Sequence, residues 1–104
     1  MEDFQVTRAG SVVAPRGEID VATTEAVRAE LDAAADEGRL VVLDLRETTF
    51  IDSSGIRLIV EAAIDIESQH GELVVVRGGP EVTRVFDLVG LEGRLRILDA
   101  PPGE

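Results

Sequence analysis

The amino-acid sequence predicts a single α/β domain with a mixed, mostly parallel sheet of about five strands and about three helices. Short apolar runs alternate along the chain with segments whose apolar residues recur at helical spacing. The 104 residues suffice for one domain. No internal repeat or linker divides them, so we expect residues 1–104 to form that domain, with residues 100–104 as a frayed tail.

Two strands are predicted at the start. Phe4 to Arg8 alternates apolar and polar residues, as a half-exposed strand does. After a turn at Ala9-Gly10, Ser11 to Ile19 forms a second strand that pairs antiparallel with the first. Pro15 lies inside it, and proline cannot donate a hydrogen bond to a strand ladder. The second strand is therefore expected at a sheet edge, or bulged near Pro15.

A helix and a buried strand follow. Asp20 to Thr24 supplies capping candidates, and the alanine-rich stretch from Glu25 to Glu37 has one apolar face with i, i+4, i+7 spacing, formed by Val27, Leu31 and Ala34. Gly38 is suited to end this helix. Leu40 to Leu45 is nearly all apolar, which is typical of a strand buried on both faces of a parallel sheet.

The second half of the chain continues the alternation. A loop, Arg46 to Phe50, is predicted to lead to a helix that begins near Ser54, runs to Gln69 and keeps its polar residues on one stripe. A continuous apolar strand, a short helix with proline in its first position and glycine after its last, and a final strand complete the order: Leu73 to Val76, Pro80 to Val89, and Leu95 to Leu98. This order predicts right-handed crossovers between parallel strands.

Composition excludes several classes of function. The chain carries 10 basic and 21 acidic residues, a net charge of −11. Nucleic-acid backbones and anionic membranes would repel it, whereas a basic patch on a protein partner would attract it; solubility alone is the alternative explanation of this charge. There is no cysteine, no signal-peptide pattern and no apolar stretch of membrane-spanning length, so a cytoplasmic protein is expected.

Catalysis is not expected. The single histidine, His70, follows the predicted second helix, whereas Ser53 and Ser54 precede it, about 22 Å away along the axis. A serine–histidine hydrolase site cannot form over that distance. One histidine and scattered carboxylates give no metal-ligand spacing, so neither a metal nor another cofactor is predicted.

The most informative stretch is Asp52-Ser53-Ser54-Gly55, at the start of the second helix. Free backbone N–H groups and the positive end of the helix dipole favour anions there, including a phosphoserine. Gly55 is expected to keep the surface bare, so that another backbone can approach. The alternative is purely structural, with Asp52 or Ser53 serving only as the N-cap.

This stretch belongs to a longer run that resembles a known family. Leu43-Asp44-Leu45-Arg46-Glu47-Thr48-Thr49-Phe50-Ile51-Asp52-Ser53-Ser54-Gly55-Ile56 is similar to the core motif of STAS domains of the anti-sigma factor antagonist type. Two flanking segments extend the resemblance over nearly the whole chain, in order and spacing: Gly17 to Asp20, and Pro80 to Leu91.

The resemblance implies a phosphorylation cycle. The unphosphorylated protein would bind an anti-sigma factor that has a histidine-kinase-type ATPase fold, and the sigma factor would be released. The kinase would phosphorylate Ser53 and end the complex, and a metal-dependent serine phosphatase would restore the hydroxyl. The implied partner-binding residues are Asp20, Asp52, Ser53, Ser54, Gly55 and Ile56. For Asp20, capping of the first helix is an alternative role that can coexist with partner binding.

The chain departs from the family pattern after its last strand. Family members usually carry a further C-terminal helix, and only Asp99 to Glu104 remain here. One face of the sheet is therefore expected to be partly uncovered or covered differently. A rival function also stays open: a STAS subunit of a transport system or signalling scaffold would dock its partner without a phosphorylation cycle.

Overall fold

A six-stranded mixed sheet forms the centre of the computed structural model, which describes residues 4–103. The α/β class and the three helices are confirmed. The elements are β1 Gln5–Ala9, β2 Val12–Ile19, α1 Thr24–Glu37, β3 Leu40–Asp44, β4 Thr48–Ile51, α2 Ser53–Ser68, β5 Glu72–Val76, α3 Pro80–Val89, a short 3₁₀ helix Leu91–Gly93, and β6 Arg96–Leu98.

The strands lie in the order β1-β2-β3-β5-β6, and β4 pairs with β2 beside this row. β1 and β2 are antiparallel, whereas the other pairs among residues 4–103 are parallel: β2–β3, β2–β4, β3–β5 and β5–β6. The parallel pairs follow from the crossover helices, and the antiparallel pair follows from the turn at Ala9-Gly10. Gly90 ends α3 in the left-handed conformation, as its position after the apolar stripe predicts.

Of the two alternatives expected for Pro15, the sheet edge is not observed, whereas an irregularity near Pro15 is: the register of β2 against β4 shifts between Gly17 and Glu18. β1 pairs with one side of β2, while β3 and then β4 pair with the other. Pro15 lies between Val13, the last residue paired with β3, and Gly17, the first paired with β4. The Pro15 carbonyl accepts a hydrogen bond from Thr48 Oγ1 at 3.1 Å. It therefore points toward the side of β2 where the pairing changes from β3 to β4. Proline lacks a backbone N–H, but at this position between the two pairings no strand-to-strand hydrogen bond from it is needed. The register shift comes just after Pro15.

The predicted loop from Arg46 to Phe50 is also incorrect, because its second half is strand β4. This strand has only four residues, and its burial alternates imperfectly: Thr48 and Ile51 are buried, whereas Thr49 and Phe50 are exposed. The pairing with the end of β2 stabilises it. Such a short segment with two polar residues carries no period-2 signal of its own.

The centre of the sheet is buried on both faces. Val41, Leu43 and Val75 belong to the main core cluster with residues of α1 and α2, such as Leu31 and Ile59. Val42, Val74 and Val76, which alternate with them, are at most 4% exposed. Within residues 4–103 no helix follows β6, yet the two central strands are not uncovered.

Beside this core, Asp44 is a buried carboxylate that ends β3. Burial pushes the pKa of Asp44 up, but hydrogen bonds from the Arg46 side chain and backbone outweigh it, so the pKa lies below its ordinary value. Arg46 Nη2 lies 2.9 Å from Asp44 Oδ2. Because the folded-state pKa is depressed, the stability from this group is present above the unfolded-state pKa and is lost as pH falls through the folded-state value.

We expect Arg46→Ala to lower the free energy of unfolding at pH 7 by about 1 kcal/mol, because the buried Asp44 carboxylate loses its hydrogen bonds from the Arg46 side chain. The loss stays this small because Arg46 is partly screened by solvent. Without the guanidinium, burial dominates and raises the pKa of Asp44. Protonation of Asp44 should then remove the free-energy cost of burying its charge. The difference from the unchanged protein should therefore shrink below about pH 4. Urea unfolding across pH measures this; a difference that stays constant from pH 7 to pH 3 would contradict it.

Candidate functional site

The predicted site lies where two parallel strands end side by side. Ile19 of β2 pairs with Ile51 of β4, and the Asp52 amide donates to the Ile19 carbonyl at 3.2 Å. Asp20 and Asp52 are therefore the first residues beyond neighbouring strands, at the same edge of the sheet. The α2 helix begins immediately after Asp52. The structure thus places Asp20 and the serine motif at the same edge of the sheet, as the family resemblance implied.

Asp52 is the N-cap of α2. Its Oδ1 accepts hydrogen bonds from the Ser54 amide at 2.9 Å and the Gly55 amide at 3.2 Å. Its backbone is extended, and its carbonyl accepts from the Ile56 amide at 3.0 Å. This is the usual geometry of an aspartate cap. Of the two predicted capping residues, the helix uses Asp52.

The side chain of Ser53 is left for other roles. Ser53 is the first residue of α2 and is exposed, whereas Ser54 is half-buried. Among residues 4–103, no hydrogen bond holds the Ser53 hydroxyl. It opens onto a groove of about 460 Å³ between the first turns of α1 and α2, lined by Val21, Thr24, Glu25, Arg28, Ser53, Ser54, Arg57, Leu58 and Glu61.

Asp20 organises the turn that precedes α1. Its Oδ1 accepts from the Ala22 amide at 3.0 Å, and its amide donates to Thr23 Oγ1 at 2.9 Å. Thr23 Oγ1 lies 3.0 Å from the Glu18 carbonyl and donates to it. The α1 N-cap is Thr23, which makes no side-chain capping bond. The Asp20 carboxylate therefore fixes the turn rather than capping the helix, so that alternative is not observed.

Gly55 is not a bare surface position. It is buried, and a Cβ atom built on it would lie 2.5 Å from Ile51 Cγ1 and 2.9 Å from Ile19 Cγ2. Gly55 therefore lets α2 approach the ends of β2 and β4, and not a partner backbone. The expectation of a bare surface was wrong because the helix turns this residue toward the sheet. Ile56 is half-buried and packs against the core.

The groove contains residues that the sequence motif did not single out. Val21 is 78% exposed beside Ser53. Two carboxylates, Glu25 and Glu61, face two guanidiniums, Arg28 and Arg57, so the groove has no excess of negative charge although the chain carries −11. Among these residues, only Arg57 could have been noticed from the sequence, because it lies four residues, about one helical turn, after Ser53.

His70 follows the opposite end of α2, whereas Ser53 starts this helix. Within the part of the chain that the structure describes, no group of three or more histidine, cysteine, aspartate or glutamate residues is placed to hold a metal ion. No helix there is long and apolar enough to cross a bilayer.

Removing the Asp52 carboxylate tests its capping role. We expect Asp52→Ala to lower the free energy of unfolding by about 1 kcal/mol, because two amides of the first turn lose their acceptor. Asp52→Asn keeps an oxygen acceptor and should retain most of the stability. Chemical denaturation of the three proteins measures this, and equal losses in both variants would assign the effect to charge instead of the cap.

The chain is similar to known proteins over most of its length. The model of the STAS domain family matches residues 3–100. The anti-sigma F factor antagonist of Lysinibacillus sphaericus is 31% identical over 88 residues, which cover 83% of this chain and 75% of that protein.

Two solved structures are similar over nearly the whole chain. The unphosphorylated form of the anti-sigma factor antagonist SpoIIAA has a TM-score of 0.73 at 26% identity, covering 96% of this chain and 90% of that one. The phosphorylated form of the Bacillus cell fate determinant SpoIIAA has a TM-score of 0.67 at 25% identity, covering 96% and 93%. The same fold is thus described for a phosphorylated and an unphosphorylated protein.

Proposed function

Because the chain belongs to the STAS domain family of anti-sigma factor antagonists, we propose that it is a phosphorylation-controlled antagonist whose switch is Ser53. Unphosphorylated, it binds an anti-sigma factor, and the sigma factor is released. Phosphate on Ser53 ends this binding. The protein acts as a binding partner and as the substrate of a kinase, and it is not itself an enzyme.

This proposal is supported by the different roles of Asp52 and Ser53 at the start of α2. Asp52 caps α2, so the helix does not need the Ser53 hydroxyl. Ser53 is exposed and lines a groove, where a kinase active site can reach it. Phosphorylation there removes no hydrogen bond of the fold, and the positive end of the helix dipole favours the added charge. The fold is therefore expected to survive modification.

The partner is proposed to combine the anti-sigma and kinase roles. A histidine-kinase-type ATPase fold binds ATP, and the Ser53 Oγ attacks the γ-phosphorus, so that the phosphoryl group moves to Ser53 and ADP leaves. A serine phosphatase then hydrolyses the phosphoester and restores the hydroxyl. ATP and sigma factors are found in the cytoplasm, which is where this proposal places the protein. The net charge of −11 favours a basic docking face on the partner.

The proposed contact surface joins the turn at Asp20 to the first turn of α2. It comprises Asp20, Asp52, Ser53, Ser54 and the half-buried Ile56. The exposed Val21 adds an apolar contact at its centre. Gly55 contributes by letting the helix sit close to the sheet, not by touching the partner.

Phosphate transfer tests the assignment. After incubation with the purified anti-sigma kinase and ATP, we expect intact mass to show one added phosphate, and peptide mapping to place it on Ser53. Ser54→Ala should still accept phosphate, whereas Ser53→Ala should not. Transfer to Ser54 or to a threonine would refute the site. A complex that forms without any transfer would instead support a docking scaffold that has no phosphorylation cycle.

A further inference from the structure

Arg57 lies one helical turn after Ser53 on the same side of α2. Residues i and i+4 of a helix have Cβ atoms about 5–6 Å apart. Both residues line the groove between α1 and α2, and both are exposed. A long guanidinium side chain at position 57 can therefore reach a group attached to Ser53 Oγ without any change of the backbone.

The two arginines of the groove differ in their engagement. Arg28 is held by Asp65 and by Asp32, the latter at 3.1 Å, and the hydrogen bond to Asp65 raises the pKa of Arg28. Arg57, by contrast, makes no hydrogen bond or ion pair with any residue in the 4–103 range. Thus the groove holds one guanidinium already engaged by carboxylates and one that is available.

We propose that Arg57 binds the phosphate on Ser53 within the same molecule and so holds the modified switch in one conformation. The proposal rests on Ser53 being the phosphorylated residue. An acidic group four residues before a cation is the favourable order of an intrahelical pair. A guanidinium also matches phosphate oxygens with two parallel hydrogen bonds, which an ammonium group cannot do.

The neighbouring charges decide which partner Arg57 takes. Glu61 lies four residues further along α2 and lines the same groove, as does Glu25 of α1. Each carries one negative charge, whereas a phosphoserine carries about −1.5 to −2 and has three acceptor oxygens. Asp20 and Asp52, directly after the neighbouring strands β2 and β4, carry like charges that oppose the phosphate, and a nearby cation offsets them. Phosphorylation thus gives Arg57, which has no ion-pair partner among residues 4–103, a strong acceptor at residue 53.

The pKa of the phosphate itself reports this contact. Phosphoserine can be placed at position 53 during translation by a suppressor tRNA, and its second pKa, about 6, can be followed by ³¹P NMR titration. A nearby guanidinium stabilises the dianion and lowers that pKa. Arg57→Gln should raise it by about 0.3 unit. Arg57→Lys should retain part of the effect, because the charge remains but the two-pronged geometry is lost.

Two control variants make the result specific. Arg84→Gln removes an exposed arginine of α3, outside the groove, and should leave the phosphate pKa unchanged. Arg28→Gln tests the other guanidinium of the groove and should have the smaller effect. If Arg57→Gln titrates like the unchanged protein, or if Arg28→Gln produces the larger shift, the proposal is overturned. The phosphate is installed without a kinase, so a failure of kinase transfer to Ser53 would refute the proposed function separately.

Discussion

Replacing Ser53 with aspartate or glutamate is expected to weaken binding to the anti-sigma factor by at least tenfold, and a phosphate by on the order of a hundredfold or more. Two unit charges about 4 Å apart interact by about 4 kcal/mol at an effective dielectric of 20. Every 1.4 kcal/mol is a factor of ten in the dissociation constant. A partner carboxylate or nucleotide phosphate opposite Ser53 would feel a fraction of this repulsion. Calorimetric titration measures the effect.

Ser53→Ala is the control for this prediction. It adds no charge, and Asp52 still caps α2, so both binding and stability should stay near those of the unchanged protein. Added ATP should no longer reverse its binding. Ser54→Ala should bind normally and remain reversible by ATP. Full-strength binding of Ser53→Glu, with the fold intact by circular dichroism, would show that charge at this position does not control the complex.

Gly55→Arg is expected to unfold the protein or to destabilise it by more than about 3 kcal/mol. The first atom of any side chain at position 55 would overlap Ile51 Cγ1 and Ile19 Cγ2, and both isoleucines are buried. A well-packed core loses about 1–3 kcal/mol when even small groups are forced into it, and arginine would also bury a charge. The smaller Gly55→Ala is expected to cost about 1–3 kcal/mol. Thermal and urea unfolding measure both losses.

Gly38→Ala provides the matched control. A Cβ atom at Gly38 would meet nothing within 4 Å, and its backbone is extended, so stability should change by less than about 0.5 kcal/mol. If Gly55→Arg were as stable as the unchanged protein, α2 could not lie against β2 and β4 as the structure has it.

Most elements of the fold could be predicted because each carries its own pattern. The apolar stripe of α1 and the unbroken runs of β3 and β5 give helix and buried-strand signals from local sequence alone. Terminal glycines and Pro80 then set the helix limits to within a few residues. These signals do not depend on what the segment packs against.

The incorrect predictions concern features that depend on pairing between distant segments. Strand β4 exists because the end of β2 lies beside it, and Pro15 is tolerated because β2 changes partner there. Gly55 faces the core because α2 starts directly above the two strand ends. None of these can be seen from a window of neighbouring residues, since each is decided by tertiary contacts.

The candidate site could likewise be predicted only where local sequence decides the structure. The helix start at the serine motif was predicted because a capping residue before an apolar helix is a local signal, whereas the place of Asp20 beside it was implied by the family resemblance. The assignment of the cap to Asp52 required the hydrogen bonds to Ser54 and Gly55. The groove and its exposed Val21 arise from the approach of α1 to α2, which no local pattern reports.

One phosphate on Ser53 is proposed to switch the protein between a binding and a non-binding form without a change of fold. The most direct test of this switch compares the dissociation constants of the unphosphorylated protein and of protein fully phosphorylated at Ser53, titrated into the same anti-sigma factor at one salt concentration. We expect the constants to differ by at least a hundredfold while the far-ultraviolet circular dichroism spectra coincide. Equal constants would contradict the switch, and so would a weakened complex accompanied by loss of the fold.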